Sequence, residues 1–400
     1  MLTSQGSQVQ SLPRPPFFSG IVPINASTLI TAASALALAA TPVRAHSSAD
    51  AQHLTLGADL SFANEMRDCG AVYRQRGKPV DPFALMSAAG GNLVRVRLWN
   101  NATWTRYSDL ADVKAALRRA KDAHLRTLLD FHYSDDWADG DKQFAPVAWA
   151  KLDPVAQVRA LHDFTRGTLQ SLAADGLSPD MVQVGNETNP ELMGGTSKTI
   201  DWPRNAALLN AGLAAVREAA RAQHKPILSM LHIAQPENAE PWFAAARTAG
   251  VADYDIIGLS YYRKWSREPM SGLAATIARL RATYAKQVIV VETAYPFTLE
   301  GADASPNLLG ADSLDPAYPA TPEGQARYMI DLTQTVVDAG GIGTVYWAPD
   351  WVSTRCKTRW GTGSNWENAA WFDFRRGLEA LPVLDFLGHD YRRSTPAQAR

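Results

Sequence analysis

The sequence predicts a single (β/α)8 TIM barrel, an α/β fold in one domain. Three observations lead there: eight short apolar runs, helix-length amphipathic segments between them, and polar residues gathered at the C-terminal ends of the runs. The runs are "LTLGADL" (Leu54–Leu60), "NLVRVRLW" (Asn92–Trp99), "LRTLLDFHY" (Leu125–Tyr133) and "MVQVGNE" (Met181–Glu187), then "PILSMLHI" (Pro226–Ile233), "DIIGLSYY" (Asp255–Tyr262), "QVIVVETA" (Gln287–Ala294) and "GTVYWAP" (Gly343–Pro349). They are nearly continuous in apolar character, the pattern of parallel strands buried on both faces. An open doubly wound sheet would also alternate strand and helix. No G-x-G-x-x-G turn follows the first run to favour it.

The segments between the runs carry the helical period. In Asp109–His124, residues Leu110, Val113, Ala116, Leu117 and Ala120 share one face. The segment after the third run opens with Asp153 as N-cap and Pro154 at the first helical position, and ends at Gly176. Four more Ala- and Leu-rich segments behave alike.

Residues 1–45 stand apart from this rhythm. The apolar run Ala26–Ala40 is too short to span a bilayer comfortably, and Val43 and Ala45 are small enough for a signal-peptidase site. The expected organisation is an export signal over 1–45 and a barrel domain over 46–400, in a secreted or periplasmic protein. A net charge of −1 gives no reason to expect a nucleic-acid or membrane partner. The 12 tryptophans suit a carbohydrate site, because sugar rings stack on aromatic faces. The expected partner is a polysaccharide, met by a monomer.

In such a barrel the active site lies at the C-terminal ends of the strands. Asp59, Arg95, Arg97, Asp130, His132, Asn186, Glu187, Tyr261, Tyr262, Glu292 and Trp347 all fall there. Glu187 ends the fourth run and Glu292 the seventh, so the two reach in from opposite sides of the mouth. Two carboxyl groups in that arrangement suit glycoside hydrolysis with retention, one attacking the anomeric carbon and the other protonating the leaving oxygen. The acid needs a raised pKa, which an apolar strand end and a neighbouring carboxylate both promote. Asn186 is placed to hydrogen-bond a sugar 2-OH, and Arg95 or Arg97 is expected to hold Glu292 ionised with a low pKa.

Longer motifs carry a family resemblance. "GADLSFANEM", "NLVRVRLWNN", "DFHYSDDWADGDKQFAPVAW", "QVGNETN", "VVETAYPFTLE" and "YWAPDWVSTRCKTRWGTGSNWENAAWFDF" resemble glycoside hydrolase family 53, the endo-β-1,4-galactanases of clan A, from about Leu56 to Phe386. The resemblance implies retaining hydrolysis of β-1,4-galactan in type I arabinogalactan, with Glu187 as acid/base and Glu292 as nucleophile. It also implies stacking by Trp99, Trp137 and Trp347, and polar contacts from His132, Asp135, Asp136 and Tyr261. No cofactor is implied for catalysis. A structural calcium ion stays open: Asp303, Asn307, Ser364 and Glu367 fall at ligand positions of some bacterial members, but Gly301 and Ser305 replace an Asp and a His.

Rival readings share the scaffold. Another clan A endo-β-glycanase, a mannanase or glucanase, would use the same pair and differ in its loops. An inactive glycan-binding protein would not need both glutamates. A metal-dependent hydrolase would want a His/Asp cluster, yet His132 and His232 lie on separate runs and no H-x-H occurs. The two cysteines supply a last expectation. Cys69 follows the first strand and Cys356 the eighth, and these strands are neighbours in a closed barrel, so a Cys69–Cys356 disulfide is predicted.

Overall fold

Each apolar run becomes a strand because a parallel strand inside a ring of helices can bury both its faces. The computed structural model describes residues 54–359 and 361–392. The export signal expected over 1–45 lies outside the described residues. The eight strands are β1 (Thr55–Asp59), β2 (Leu93–Leu98), β3 (Arg126–Phe131), β4 (Met181–Val184), β5 (Leu228–Ala234), β6 (Ile256–Ser260), β7 (Gln287–Thr293) and β8 (Gly343–Trp347). Neighbours pair in parallel in chain order, and β1 closes the ring by pairing with both β2 and β8. The architecture is the (β/α)8 barrel that the sequence predicts.

The helices start where the capping chemistry puts them. Asp153 accepts a hydrogen bond from the Ala156 amide and Pro154 opens the helix Pro154–Ala174; Gly176 then leaves it in a left-handed conformation (φ +67°). Asp81, Asp109, Asp201 and Thr321 cap four other helices in the same way. Within Leu110–Asp122 the buried face is Val113, Ala116, Leu117 and Ala120, with Leu110 packed at its edge.

Two apolar layers result. One lies between the strands and the helices. The smaller one fills the barrel interior, with Leu93, Leu128, Met181, Met230, Ile256, Ile289 and Val345 facing one another. Above this plug the inward residues turn polar: Asp59, Arg95, Asp130, Gln183 and His232 are all buried. The barrel therefore has a dry apolar base and a charged upper layer, and the site stands on that layer.

β7 departs from regular register where this matters. Leu259 opposes Val290 but Ser260 opposes Glu292, so Val291 is skipped in the ladder with β6. The ladder with β8 is likewise irregular, with Thr344 opposite Val290 and Tyr346 opposite Thr293. A bulge re-aims the residue that follows it. Here that residue is Glu292.

The loops after β1 and β8 lie side by side, and a disulfide joins Cys69 to Cys356 with their Cα atoms 5.6 Å apart. It ties positions 287 apart in sequence. In the chain-entropy account such a link has a nominal value of about 5 kcal/mol, with about 2–4 kcal/mol typical in practice. Unreduced, denatured protein should expose no reactive thiol, and reduction should lower the unfolding midpoint. Two titratable thiols per unreduced chain would contradict the bridge.

Candidate active site

The turn after β4 shapes the site. Gly185 (φ +83°) and Glu187 (φ +45°) both adopt left-handed backbone, a strained state for a glutamate. A Cβ on Gly185 would lie 2.5 Å from Thr188 Cγ2, so glycine is required there on two counts. Gln143, buried in the loop after β3, holds the turn: its Nε2 donates to the carbonyls of Asn186 (2.7 Å) and Glu187 (3.2 Å).

Glu187 and Glu292 line one open cavity of about 1210 Å³ at the barrel mouth. Glu187 Oε1 accepts from Ser260 Oγ, and its Oε2 accepts from the Gly140 amide at 3.2 Å. Glu292 Oε1 pairs with Arg95 at 2.7 Å, and its Oε2 accepts from the Tyr262 hydroxyl at 3.3 Å. Arg95 is a hub. It also donates to Asp59 (2.9 Å), Asp130 (2.7 Å), Asn186 Oδ1 (2.7 Å) and Gln183 (3.2 Å).

Burial raises the pKa of both glutamates. For Glu187 burial is the largest cause, opposed by the Ser260 hydrogen bond. For Glu292 burial again leads, Arg95 opposes it, and Glu187, Asp130 and Asp59 add to it; the carboxyl is pushed up to about 8. The expectation of a low pKa for Glu292 is thus corrected. Arg95 does act on it, but three carboxylates divide one guanidinium. Arg97 makes no ion pair with Glu292. Its guanidinium is stacked over Trp137 (4.1 Å), Trp99 (4.5 Å) and Phe62 (4.9 Å).

Of the residues singled out in the sequence, Asp59, Arg95, Arg97, His132, Trp137, Asn186, Glu187, Tyr262, Glu292 and Trp347 line the cavity. Asn186 keeps one amide hydrogen for a ligand, since Nδ2 gives the other to Ala138 O at 2.9 Å. His132 has none to spare. Its Nδ1 accepts from the Ala138 amide (3.2 Å), and Nε2 meets Asp130 (3.0 Å).

Trp99, Asp135, Asp136 and Tyr261 are not on the cavity wall. Trp99 is buried behind Trp137, at 5.5 Å between rings. Asp135 accepts the amides of Asn101 and Val147, and Asp136 pairs with Arg359 at 2.7 Å; both organise loops. Tyr261 is fully buried and donates to Glu268 O. The reason is parity. Ser260 turns inward to Glu187, so Tyr261 turns outward and Tyr262 comes back in.

Sequence reading also missed the distal walls. Trp202 and Trp242 line one stretch of the cavity, and Trp265, Trp351 and Trp366 line others. They sit in loops or, for Trp202 and Trp242, on helices, where no strand rhythm points to them.

Asp303, Asn307, Ser364 and Glu367 do come together, but as a hydrogen-bonded seam. Asp303 accepts the amides of Ser305 (2.7 Å) and Ser364 (2.9 Å), Ser364 Oγ turns to Trp351 O (3.1 Å), and Glu367 accepts the Ala302 amide (3.0 Å). Of the side-chain oxygens of these four residues, Glu367 Oε2 and Asn307 Oδ1 are buried without a partner. Calcium takes six to eight oxygens. Two bare oxygens and a serine turned away do not fit it.

With this geometry in place, comparison with known proteins decides the family. The model of the family "Glycosyl hydrolase family 53" matches residues 55–387. The chain belongs to glycosyl hydrolase family 53. It is 52% identical to an arabinogalactan endo-beta-1,4-galactanase of Cellvibrio japonicus (strain Ueda107), over 92% of this chain and 99% of that one. It is 35% identical to an endo-beta-1,4-galactanase of Bacillus subtilis (strain 168), over 83% and 82%. A solved family 53 catalytic domain from Ignisphaera aggregans superposes with a TM-score of 0.77 at 31% identity, covering 84% of this chain and 95% of that one. As a family 53 member the chain is a glycoside hydrolase.

The raised Glu292 makes a claim about stability. A carboxyl whose pKa rises on folding, from about 4.5 to about 8, costs the folded state stability once the unfolded chain can ionise. The penalty opens above pH about 4.5, grows with pH, and levels off above about 8. Glu292→Gln removes it. Urea unfolding should show the variant gaining on the parent protein between pH 5 and pH 8. A difference that stays constant across that window would contradict the burial argument.

Proposed function

We propose that the protein is an exported endo-β-1,4-galactanase that hydrolyses type I arabinogalactan with retention of configuration. The observation that carries this reading is the pairing of Glu187 and Glu292 across one open cavity, in a chain 52% identical to a galactanase over 92% of this chain and 99% of that enzyme. The large, open cavity and its several tryptophans support attack within a chain rather than at its end. Another clan A specificity would keep the same pair and change those walls.

In the proposed reaction the two carboxyl groups share one proton and titrate as a pair. The working form has the charge on Glu292, where Arg95 and the Tyr262 hydroxyl meet it, and the proton on Glu187. Glu292 attacks the anomeric carbon while Glu187 gives its proton to the departing oxygen. A galactosyl ester on Glu292 results. Glu187, now ionised, takes a proton from water, and the hydroxide displaces the ester to give the β product. The free hydrogen on Asn186 Nδ2 serves the 2-OH, whose bond tightens as positive charge develops on the ring. Trp347 supplies a stacking face. No cofactor enters these steps.

Export is supported by the apolar run Ala26–Ala40 and by the disulfide, which oxidising compartments permit. No helix among the described residues is long and apolar enough to cross a membrane. We further propose that the chain acts as a monomer and that it needs no calcium, because protein hydrogen bonds already tie the loops after β7 and β8.

Purified protein should degrade β-1,4-galactan and leave β-mannan and carboxymethylcellulose largely intact, and proton NMR should show the β anomer first in the new reducing ends. Comparable turnover of mannan would overturn the substrate, and an initial α anomer would overturn the double displacement. EDTA should leave the unfolding midpoint of the full chain unchanged. A fall of several degrees, reversed by calcium, would mean that the seam holds an ion.

A further inference from the structure

Behind Glu187 stands a chain of fully buried groups that the proposed reaction does not use. Ser260, the last residue of β6, donates to Glu187 Oε1. Its own oxygen lies 2.9 Å from Nε2 of His232, on β5. His232 Nδ1 meets three groups: the Glu187 amide at 3.3 Å, Gln183 Nε2 at 3.1 Å and Asn186 Oδ1 at 3.0 Å.

The direction of the chain follows from what each neighbour can do. A backbone amide can only donate, and the Glu187 amide meets His232 Nδ1. The sense of the Asn186 amide is fixed, because Nδ2 gives to Ala138 O; its Oδ1 already accepts from Arg95 (2.7 Å) and Gln183 (3.1 Å). Nδ1 is therefore the acceptor and Nε2 carries the hydrogen. Burial and the nearby Arg95 keep the ring neutral. Nε2–H then donates to Ser260 Oγ, which leaves the serine's one hydrogen for Glu187 Oε1.

We propose that Ser260, oriented by His232, is a positioning residue for the acid/base: it marks Oε1 as the oxygen that only accepts, confines the working proton to Oε2, and stabilises the carboxylate when Glu187 must act as base. This inference rests on the reading of Glu187 as the acid/base. A hydroxyl locked in the donor sense favours the ionised form more than the neutral one. It offsets the burial of Glu187, the charge of Asp139 in the loop after β3, and that of Glu292 on β7. Arg95 on β2 acts in the same direction as Ser260. Tyr262, the remaining titratable group facing Glu187, stays neutral through burial.

Removing the hydroxyl should leave the acid holding its proton to higher pH. For Ser260→Ala, the alkaline limb of kcat/KM on a galacto-oligosaccharide should move up by about one pH unit, the scale of one charge-assisted hydrogen bond. Ser260→Thr keeps a donor and should return the limb toward its original position. A packing role alone would lower activity without moving the limb. Glu187→Ala separates the two readings. It should abolish cleavage of the oligosaccharide while sparing glycosylation by an activated aryl galactoside. Equal losses on both substrates would remove Glu187 as the acid. A selective loss there, with an unmoved limb in S260A, would overturn only the Ser260 role. Should S260A fail to fold, 15N NMR of histidine-labelled parent protein still decides: His232 should be the Nε2–H tautomer, and an Nδ1–H ring would reverse the chain and overturn the proposal.

Discussion

A guanidinium with essentially no exposure sits in the polar layer of the barrel, and the site is arranged around it. Arg95 on β2 reaches Asp59 on β1, Asp130 on β3, Gln183 on β4, Asn186 just beyond it, and Glu292 on β7. Bringing that charge out of water is unfavourable unless its hydrogens are matched, and here each direction has an acceptor. The converse also holds. Without Arg95, Asp59 and Asp130 would be uncompensated buried carboxylates on the two strands that flank β2. Burial pushes Asp130 upward, yet Arg95 and His132 outweigh it and bring it below the ordinary carboxylate value. Asp59 and Asp130 are therefore better read as anchors for Arg95 than as reacting groups. Arg95 in turn fixes both the Asn186 amide and Glu292.

This layer explains what the sequence disclosed. The strands were legible because both faces are apolar, and the glutamate pair because Glu187 and Glu292 follow or end strands on opposite sides of the mouth. Arg95 and Asp130 could be placed at the mouth, but their mutual contact could not be read, since it joins residues 35 positions apart. The choice of Tyr261 over Tyr262 failed on a single step of parity at the end of β6. Periodicity fixes the inward face within a strand. Where the strand ends, only the partner decides, and Ser260 is held inward by Glu187 and His232. Asp135 and Asp136 look like ligand groups in sequence, and are loop organisers because backbone amides and Arg359 lie closer than the cavity does.

Hydrogen bonds also tie the loops after β7 and β8 together. At the seam between the β7 and β8 loops, Asp303 takes two backbone amides where a metal ligand would keep its oxygens bare. Leu308 donates to Asn365 O at 2.9 Å and Asn365 Nδ2 to Pro306 O at 2.9 Å, so hydrogen bonds cross-link the same two segments. Ser305 Oγ donates across the seam to Thr362 O at 3.0 Å.

Strain collects where the chain turns from strand to site. Tyr133, Glu187, Gln235 and Ala348 follow β3, β4, β5 and β8, and all have positive φ although none is glycine. Each such residue costs of order 1–3 kcal/mol and persists only where its surroundings over-determine it. For Glu187 those surroundings are visible: Gln143 holds its carbonyl, His232 its amide, Ser260 and Gly140 its carboxyl. Glu292 is aimed by the bulge in β7 and gripped by Arg95 and Tyr262. Both carboxyl groups are thus immobilised in a buried site before any sugar arrives. Water would solvate them better, and this is the reason their pKa values rise. In the proposed double displacement, the stability given up in burying two acids is what lets them share one proton. A mouth that solvated both fully would be more stable and would hold no proton to give.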